Sequence, residues 1–168
     1  ETEKIIKKLK DNNGIYLVPA FTGLGAPHWN ANSRGVLSGI TRDTNPEDIV
    51  RATIEAVAYQ TYDLFEAMKH DGLRPRIVKV DGGMVMNNWF SQFLSDVVNV
   101  KVLRPKVQET TALGAAFMAG LQIGVYKSLK DISKNWSLDK KFSPKMKNNS
   151  RLKLIKGWSK AIKRTLIN

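Results

Sequence analysis

The order of apolar segments between residues 76 and 121 constrains the fold more than any other feature of the sequence. Residues 76–80 and 100–105 are short runs rich in valine, while residues 87–98 and 111–121 carry apolar side chains at helical spacing. A strand–helix–strand–helix order at this spacing is typical of parallel strands joined by right-handed crossovers. The sequence therefore predicts an α/β fold with parallel strands flanked by helices.

The region before this unit predicts two short strands and one long helix. The strands cover residues 14–19 and 35–40, and the loop between them carries Phe21, His28 and Trp29, so we expect it to pack down or to line a cleft. The helix begins after Asn45, which is a good N-cap, and ends near residues 71–72. Its two apolar rows predict burial on two sides.

Composition narrows the functional classes. The 168 residues include no cysteine and only two histidines, so disulfides, thiolate chemistry and a histidine-built metal site are not expected. The absence of cysteine also fits a reducing compartment, and we predict a cytoplasmic location. No apolar run approaches the roughly 18 to 20 residues that span a bilayer, so we predict no membrane insertion.

The positive charge is concentrated in one segment. The chain carries a net charge of +12, and residues 127–168 hold 13 lysines and arginines against two acidic residues, a net +11. Residues 1–126 hold the other 14 basic and 13 acidic residues, a net +1. The sequence therefore predicts a nearly neutral body, residues 1–126, and a basic helical extension of the same domain, residues 127–168, with a final helix at 151–166.

The turn after the strand at 76–80 is the main candidate ligand site. Asp81, Gly82 and Gly83 follow that strand, and a helix starts near Asn87. Glycines leave no Cβ, so adenine or a phosphate can lie against the backbone, and a helix start offers unpaired N–H groups. Ligands of open α/β sheets bind at such strand ends. An ordinary tight connection explains the two glycines equally well.

Other candidate groups are weaker. Residues 110–116 could form a second phosphate or hydroxyl site, but a threonine helix cap followed by close packing of Gly114, Ala115 and Ala116 on the sheet is favoured. Five carboxylates are candidates for a general base, but none is convincing in that role, so we predict no catalytic residue and no metal ligand in this chain. For two of them, Glu55 and Asp63, solvated or packing roles are favoured. The five are Glu55, Asp63, Glu66, Asp81 and Asp96.

Several segments resemble one enzyme family closely. Residues 19–29, with the sequence PAFTGLGAPHW, are similar to a hallmark of glycerol kinases within the FGGY family of carbohydrate kinases. Residues 35–55 resemble a second signature of that family, and Asp81-Gly82-Gly83 with Asn87 resembles its adenosine-contacting motif. Residues 110–120 also match in kind. The resemblance covers essentially residues 13–135.

The resemblance implies both a fold and a reaction. The implied fold is that of the actin/hexokinase-like, or ribonuclease H-like, ATPases, and the implied reaction transfers the γ-phosphoryl group of ATP, with Mg²⁺, to glycerol. Gly83 and Asn87 match adenine-nucleotide contacts, while Gly82 and Asp81 match residues that shape the turn. Residues 1–126 would then be part of the carboxyl-terminal nucleotide-binding domain.

The chain is expected to depend on residues outside this sequence. It opens on Glu1 rather than methionine, within a lysine-rich stretch, and we expect a processed, truncated or partly resolved chain rather than a complete gene product. By the resemblance, the aspartate base, the phosphate loops and the glycerol-binding residues have their counterparts upstream of Glu1, so the chain alone is expected to be inactive. The predicted open sheet edge favours a homo-oligomer or pairing with an amino-terminal piece.

A binding module is the rival interpretation. Lysines and an arginine share the final helix with an apolar face, as in helices that dock on anionic membranes, and the basic segment 127–168 could also dock on nucleic acid. An apolar row of this kind more often packs on its own domain, so neither partner is predicted. The basic residues are Lys153, Lys156, Lys160, Lys163 and Arg164.

Overall fold

The computed structural model describes residues 1–166 and contains six α-helices and five strands in that range. No helix in this range is both long and apolar enough to cross a membrane. In chain order the elements are α1 (Thr2–Ile6), β1 (Tyr16–Val18), β2 (Val36–Ser38), α2 (Pro46–His70), β3 (Ile77–Lys79), a 3₁₀ helix (Gly83–Met86), α3 (Asn88–Val98), β4 (Lys101–Pro105), α4 (Thr110–Gln122), α5 (Leu129–Ser133), β5 (Leu138–Phe142) and α6 (Asn148–Leu166).

The predicted parallel unit is present. β3 pairs with β4 in parallel, with Val78 opposite Val102, and α3 forms the crossover between them. The prediction of an α/β fold with parallel strands is therefore confirmed. β3 lies at the edge of a three-stranded sheet whose order is β3-β4-β5.

The third strand was not predicted from the sequence. β5 pairs antiparallel with β4, with Leu103 opposite Lys141. Three of its five residues are charged, and only Phe142 is buried. An edge strand with little buried surface loses the apolar alternation on which strand prediction depends. Its lysines also disfavour pairing with a further chain, as charges on edge strands commonly do.

The long helix begins as predicted and is less fully covered than predicted. Asn45 is its N-cap, and the Asp48 carboxylate accepts a hydrogen bond from the Asn45 backbone N–H at 2.9 Å. One broad face is buried around Ala52, Ala56 and Tyr59. The second apolar side is only partly covered within residues 1–166, because three of its large side chains are 38% to 39% exposed: Ile49, Leu64 and Met68.

The core lies where α2, α3, α6 and β1 meet. The Tyr59 ring stacks on Trp158 with centroids 5.3 Å apart and meets Phe93 edge-on at 5.6 Å. Trp158 and Ile162 of α6 are buried here, so the apolar face of the last helix packs on its own domain, as favoured above. A face buried in this way is not available to a membrane surface.

The apolar loop and the small-residue helix α4 both leave apolar side chains uncovered within residues 1–166. Phe21 and Trp29 in the loop between β1 and β2 are 74% and 78% exposed, so the loop does not pack down, and the alternative that it lines a cleft stays a prediction. Gly114 does not support close packing of α4 on the sheet, because a Cβ placed there would meet nothing within 4 Å. The apolar surface of α4 therefore has little cover within residues 1–166, and Met118 is 51% exposed.

A glycine-to-alanine pair tests how tightly α6 packs. A Cβ at Gly157 would lie 2.1 Å from the Tyr16 hydroxyl oxygen, whereas a Cβ at Gly114, also helical, would meet nothing. We expect Gly157→Ala to lower the free energy of unfolding by about 1–3 kcal/mol through overpacking. Gly114→Ala is the matched control and should be neutral or stabilising. Urea denaturation of both variants measures the difference, and equal midpoints would contradict the close approach of α6 to β1.

Candidate functional site

The diglycine turn lies at the carboxyl end of β3, as expected for a ligand site in an α/β sheet. Gly83 opens the 3₁₀ helix, and Asn87 is the N-cap of α3, where its side-chain oxygen accepts a hydrogen bond from the Phe90 N–H at 3.0 Å. The Asn87 side-chain nitrogen lies 3.5 Å from the Thr2 hydroxyl at the protein surface. Its remaining N–H can point toward a ligand above the turn.

The backbone of this turn is bare. Gly82 has a φ of +85°, a conformation that L side chains rarely adopt, so glycine is needed there. A Cβ at Gly82 or Gly83 would meet nothing within 4 Å. Met84 and Met86 beside the turn are 41% and 49% exposed. The turn thus offers open main chain flanked by apolar side chains, which suits a flat aromatic ring.

A second loop meets the turn through Thr110. The Thr110 hydroxyl donates a hydrogen bond to the Asp81 carboxylate, and the Gly82 N–H donates to the Gln108 carbonyl at 3.3 Å. Thr110 is the first residue of α4 and does not cap the helix with its side chain, so the favoured interpretation of this threonine was wrong. The structure instead brings the two candidate segments, residues 81–87 and 110–116, together.

A small cavity lies beside these residues. It has a volume of about 210 Å³, and its walls include Lys79, Asp81, Thr110 and Trp136. The Lys79 ammonium lies 4.2 Å from the centre of the Trp136 ring, a cation–π contact that holds a positive charge next to the turn. Of these groups the Lys79 ammonium is suited to a phosphate oxygen, whereas the Thr110 hydroxyl already donates its proton to Asp81.

Arg104 is a supporting residue that the sequence did not indicate. Its guanidinium is 6% exposed and donates to the Val85 carbonyl at 2.7 Å and to the Met86 carbonyl at 3.3 Å. It also forms an ion pair with Asp139 of β5 at 2.7 Å. Arg104 thereby ties the 3₁₀ helix of the turn to the sheet. An arginine next to the apolar residues Val102 and Leu103 of β4 is the sequence signal that could have revealed it.

Removing Arg104 should loosen the turn. In Arg104→Met the Met86 carbonyl loses its side-chain donor and the Val85 carbonyl keeps only the Ser91 hydroxyl, so we expect the free energy of unfolding to fall by about 1–3 kcal/mol. Faster amide hydrogen exchange at residues 84–87 is the specific readout, since a general loss of stability would not concentrate there. Arg74→Met, outside these contacts, serves as the control. Unchanged exchange in Arg104→Met would contradict the supporting role.

The structure changes the interpretation of Glu55. Its side chain is fully buried, where it accepts hydrogen bonds from Arg51 at 2.7 Å, Tyr59 at 2.9 Å and Asn12 at 3.2 Å. Burial raises the pKa of the Glu55 carboxyl, while the Arg51 charge and these hydrogen bonds oppose that shift. Glu55 is therefore neither solvated nor partnerless, and it holds the segment before β1 against α2.

The other candidate acids also have structural partners. Asp63 accepts hydrogen bonds from His28 at 3.1 Å and from Trp158 at 2.8 Å. Asp96 accepts from the Met146 N–H at 3.1 Å, and Glu66 pairs with Lys69 at the surface. Within residues 1–166, no group of three or more histidine or acidic side chains is arranged to hold a metal ion. Of the five acids, only Asp81 lies at the diglycine turn.

Sequence comparisons identify relatives over nearly the whole chain. Residues 3–123 match the model of the FGGY family of carbohydrate kinases, C-terminal domain. The chain is 50% identical over 167 residues to a glycerol kinase of Clostridium botulinum, covering 99% of this chain and 34% of that protein. It is 51% identical over 164 residues to glycerol kinase 1 of Pseudomonas aeruginosa, covering 98% and 33%. The chain therefore spans about a third of the length of these curated relatives.

Structural comparisons agree. The crystal structure of Plasmodium falciparum glycerol kinase with ADP superimposes with a TM-score of 0.85 at 37% identity, covering 99% of this chain and 34% of that one. A xylulose kinase from Lactobacillus acidophilus superimposes with a TM-score of 0.75 at 23% identity, which supports the fold alone. The parallel unit, the open diglycine turn and these matches lead to one conclusion: the chain belongs to the FGGY family of carbohydrate kinases and corresponds to the carboxyl-terminal part of its members.

Proposed function

We propose that this chain is the carboxyl-terminal, nucleotide-binding part of a glycerol kinase, which transfers the γ-phosphoryl group of ATP to glycerol. The main support is identity of about 50% to glycerol kinases over nearly all of its residues. The relative of Plasmodium falciparum was solved with ADP, which supports ATP and ADP as the ligands. We also propose a cytoplasmic location, because the absence of cysteine fits a reducing compartment.

The roles of the residues follow from the turn. The adenine ring would lie against the bare backbone of Gly82 and Gly83, and the Asn87 side-chain nitrogen would donate a hydrogen bond to the nucleotide. Asp81 would hold the shape of the turn through Thr110. ATP, with Mg²⁺ on its phosphates, supplies the group that is transferred, and these residues bind and orient it. Mg²⁺ would be held mainly through phosphate oxygens and waters.

The glycerol site and the general base are assigned to the other two thirds of the relatives' length. We therefore expect no turnover from these 168 residues alone. A chimera tests the proposal directly: this chain replaces the corresponding third of the Clostridium botulinum glycerol kinase. We expect ATP-dependent formation of glycerol 3-phosphate by the chimera and none by the chain alone. A folded chimera that forms no glycerol 3-phosphate from ATP and glycerol would contradict the assignment of this chain as the nucleotide-binding part of a glycerol kinase.

The uncovered surfaces support a proposal about assembly. β3 is an open sheet edge, and Ile77 on it is 51% exposed, while α4 exposes Met118. We expect the isolated chain to self-associate, or to pair with a separately supplied amino-terminal piece, because both would cover these groups. Sedimentation velocity at micromolar concentration tests this expectation. A monodisperse monomer that remains folded at low concentration would contradict it.

A further inference from the structure

A second cavity, larger than the one at the diglycine turn, lies between α6 and the segment that joins α1 to β1. Its volume is about 740 Å³, and we call it the lysine pocket after Lys10, Lys153, Lys156 and Lys160, which line it. Three of these lysines lie on α6 at positions i, i+3 and i+7, which places them on one face of the helix. The fourth comes from the opposite wall, so the charges converge from two elements.

The floor of the lysine pocket is rigid. Asn12 and Arg51 are 4% and 7% exposed and both bind Glu55. Arg51 also donates to the Leu9 carbonyl at 2.9 Å, and Asn12 donates to the Ile15 carbonyl at 3.3 Å. The segment that carries Lys10 is thus fixed to α2 by buried hydrogen bonds. Because the floor of the pocket is already fixed, ligand binding does not lose free energy in ordering that segment.

The charge of the lysine pocket is not balanced. None of its four lysines forms an ion pair within the part of the chain that the structure describes, and Asp11 is the single acidic residue in the lining. Like charges around one cavity repel one another, and a bound anion would relieve that repulsion. Three of the 13 basic residues of 127–168 therefore face a concave site together with Lys10.

We propose that the lysine pocket binds a compact polyanion, a small molecule that carries two or more phosphate or carboxylate groups. The volume lies within the roughly 300–1,000 Å³ that is usual for small-molecule sites. A concave cavity between two elements suits a small anion better than a membrane or a DNA duplex, which need an extended surface. The site is separate from the diglycine turn, and the proposal does not depend on the glycerol kinase reaction.

The test uses pyrophosphate as the probe and the full chain as the protein. Isothermal titration at low salt should show binding that weakens as salt is added. The double variant Lys153→Gln/Lys160→Gln should weaken it by about tenfold or more, because two converging charges are lost. Lys163→Gln/Arg164→Gln removes the same charge from α6 outside the pocket and is the matched control, for which we expect a change of less than about twofold.

Three results would overturn the proposal. The first is the absence of pyrophosphate binding, and the second is an equal loss of pyrophosphate affinity in both double variants. The third is tight binding of a 20-base-pair DNA duplex or of anionic vesicles that Lys153→Gln/Lys160→Gln does not weaken. Lys79→Gln separates the two sites, because it removes the positive charge that the cavity at the diglycine turn offers to a phosphate. Pyrophosphate binding that survives Lys79→Gln but is lost in Lys153→Gln/Lys160→Gln supports the pocket, whatever the chimera shows about glycerol.

Discussion

Replacing Trp158 with alanine is expected to lower the free energy of unfolding by about 3–5 kcal/mol, the usual cost of removing a buried tryptophan. Trp158 is 1% exposed, stacks on Tyr59 and donates its indole N–H to Asp63 at 2.8 Å. Because the free energy of unfolding of small domains is only about 5–15 kcal/mol, this change should remove a large part of the stability of the chain. Urea denaturation followed by circular dichroism measures it.

Two control variants separate the effect of burying the ring from the effect of its hydrogen bond to Asp63. Trp136→Ala removes a tryptophan that is only partly buried, and it should cost far less than Trp158→Ala. Trp158→Phe keeps most of the ring packing and loses the hydrogen bond to Asp63, so it should fall between the wild type and Trp158→Ala. If Trp158→Ala unfolded at the same urea concentration as the wild type, α6 would not be part of the core.

Gly83→Val should block the nucleotide without disturbing the fold. Nothing in the described chain lies within 4 Å of a Cβ at this position, and Gly83 is not among the glycines with positive φ, so the valine is accommodated. Its methyl groups would occupy the space proposed for adenine. In the chimera we expect kcat/KM for ATP to fall by about a hundredfold, equivalent to about 2.7 kcal/mol.

Gly25→Val is the matched control for this change. Gly25 also lacks neighbours within 4 Å and a positive φ, but it lies in the loop between β1 and β2, away from the turn. We expect kcat/KM for ATP to stay within about threefold of the parent chimera. Similar losses in both variants, or none in Gly83→Val, would remove the turn from the nucleotide site.

The sequence was most informative where local signals and burial agree. Asn45 and Pro46 mark the start of α2, and the valine-rich runs mark β3 and β4, because Val102 of β4 is buried and Val78 of β3 is half-buried. The diglycine turn was also located, because two glycines stand between a strand and a helix start, although an ordinary tight connection explains those glycines equally well. The four residues Asp81, Gly82, Gly83 and Asn87 remain a prediction as a nucleotide site.

Long-range pairing explains what the sequence did not reveal. β5 has almost no apolar pattern, and only its pairing with β4 makes it a strand. Glu55 accepts hydrogen bonds from residues of its own helix and also from Asn12, which is 43 residues away in the sequence. Arg104 meets Asp139 from a segment that looks like a basic tail. Contacts of this kind depend on the whole fold and leave no local signal.

The apolar surface of α4 was misjudged for a different reason. Its small residues predict close packing, yet residues 1–166 provide little that covers them. A helix pattern records that a face is apolar, but it does not say which segment covers that face. The relatives are about three times as long as this chain, and an amino-terminal piece is the partner that we propose for this face.

A crystal structure of the chimera with ADP tests the central claim most directly. We predict that the adenine ring lies against the backbone of Gly82 and Gly83, within hydrogen-bonding distance of the Asn87 side chain. Adenine bound elsewhere, for example in the lysine pocket, or a turn covered by side chains from the rest of the chimera, would contradict it.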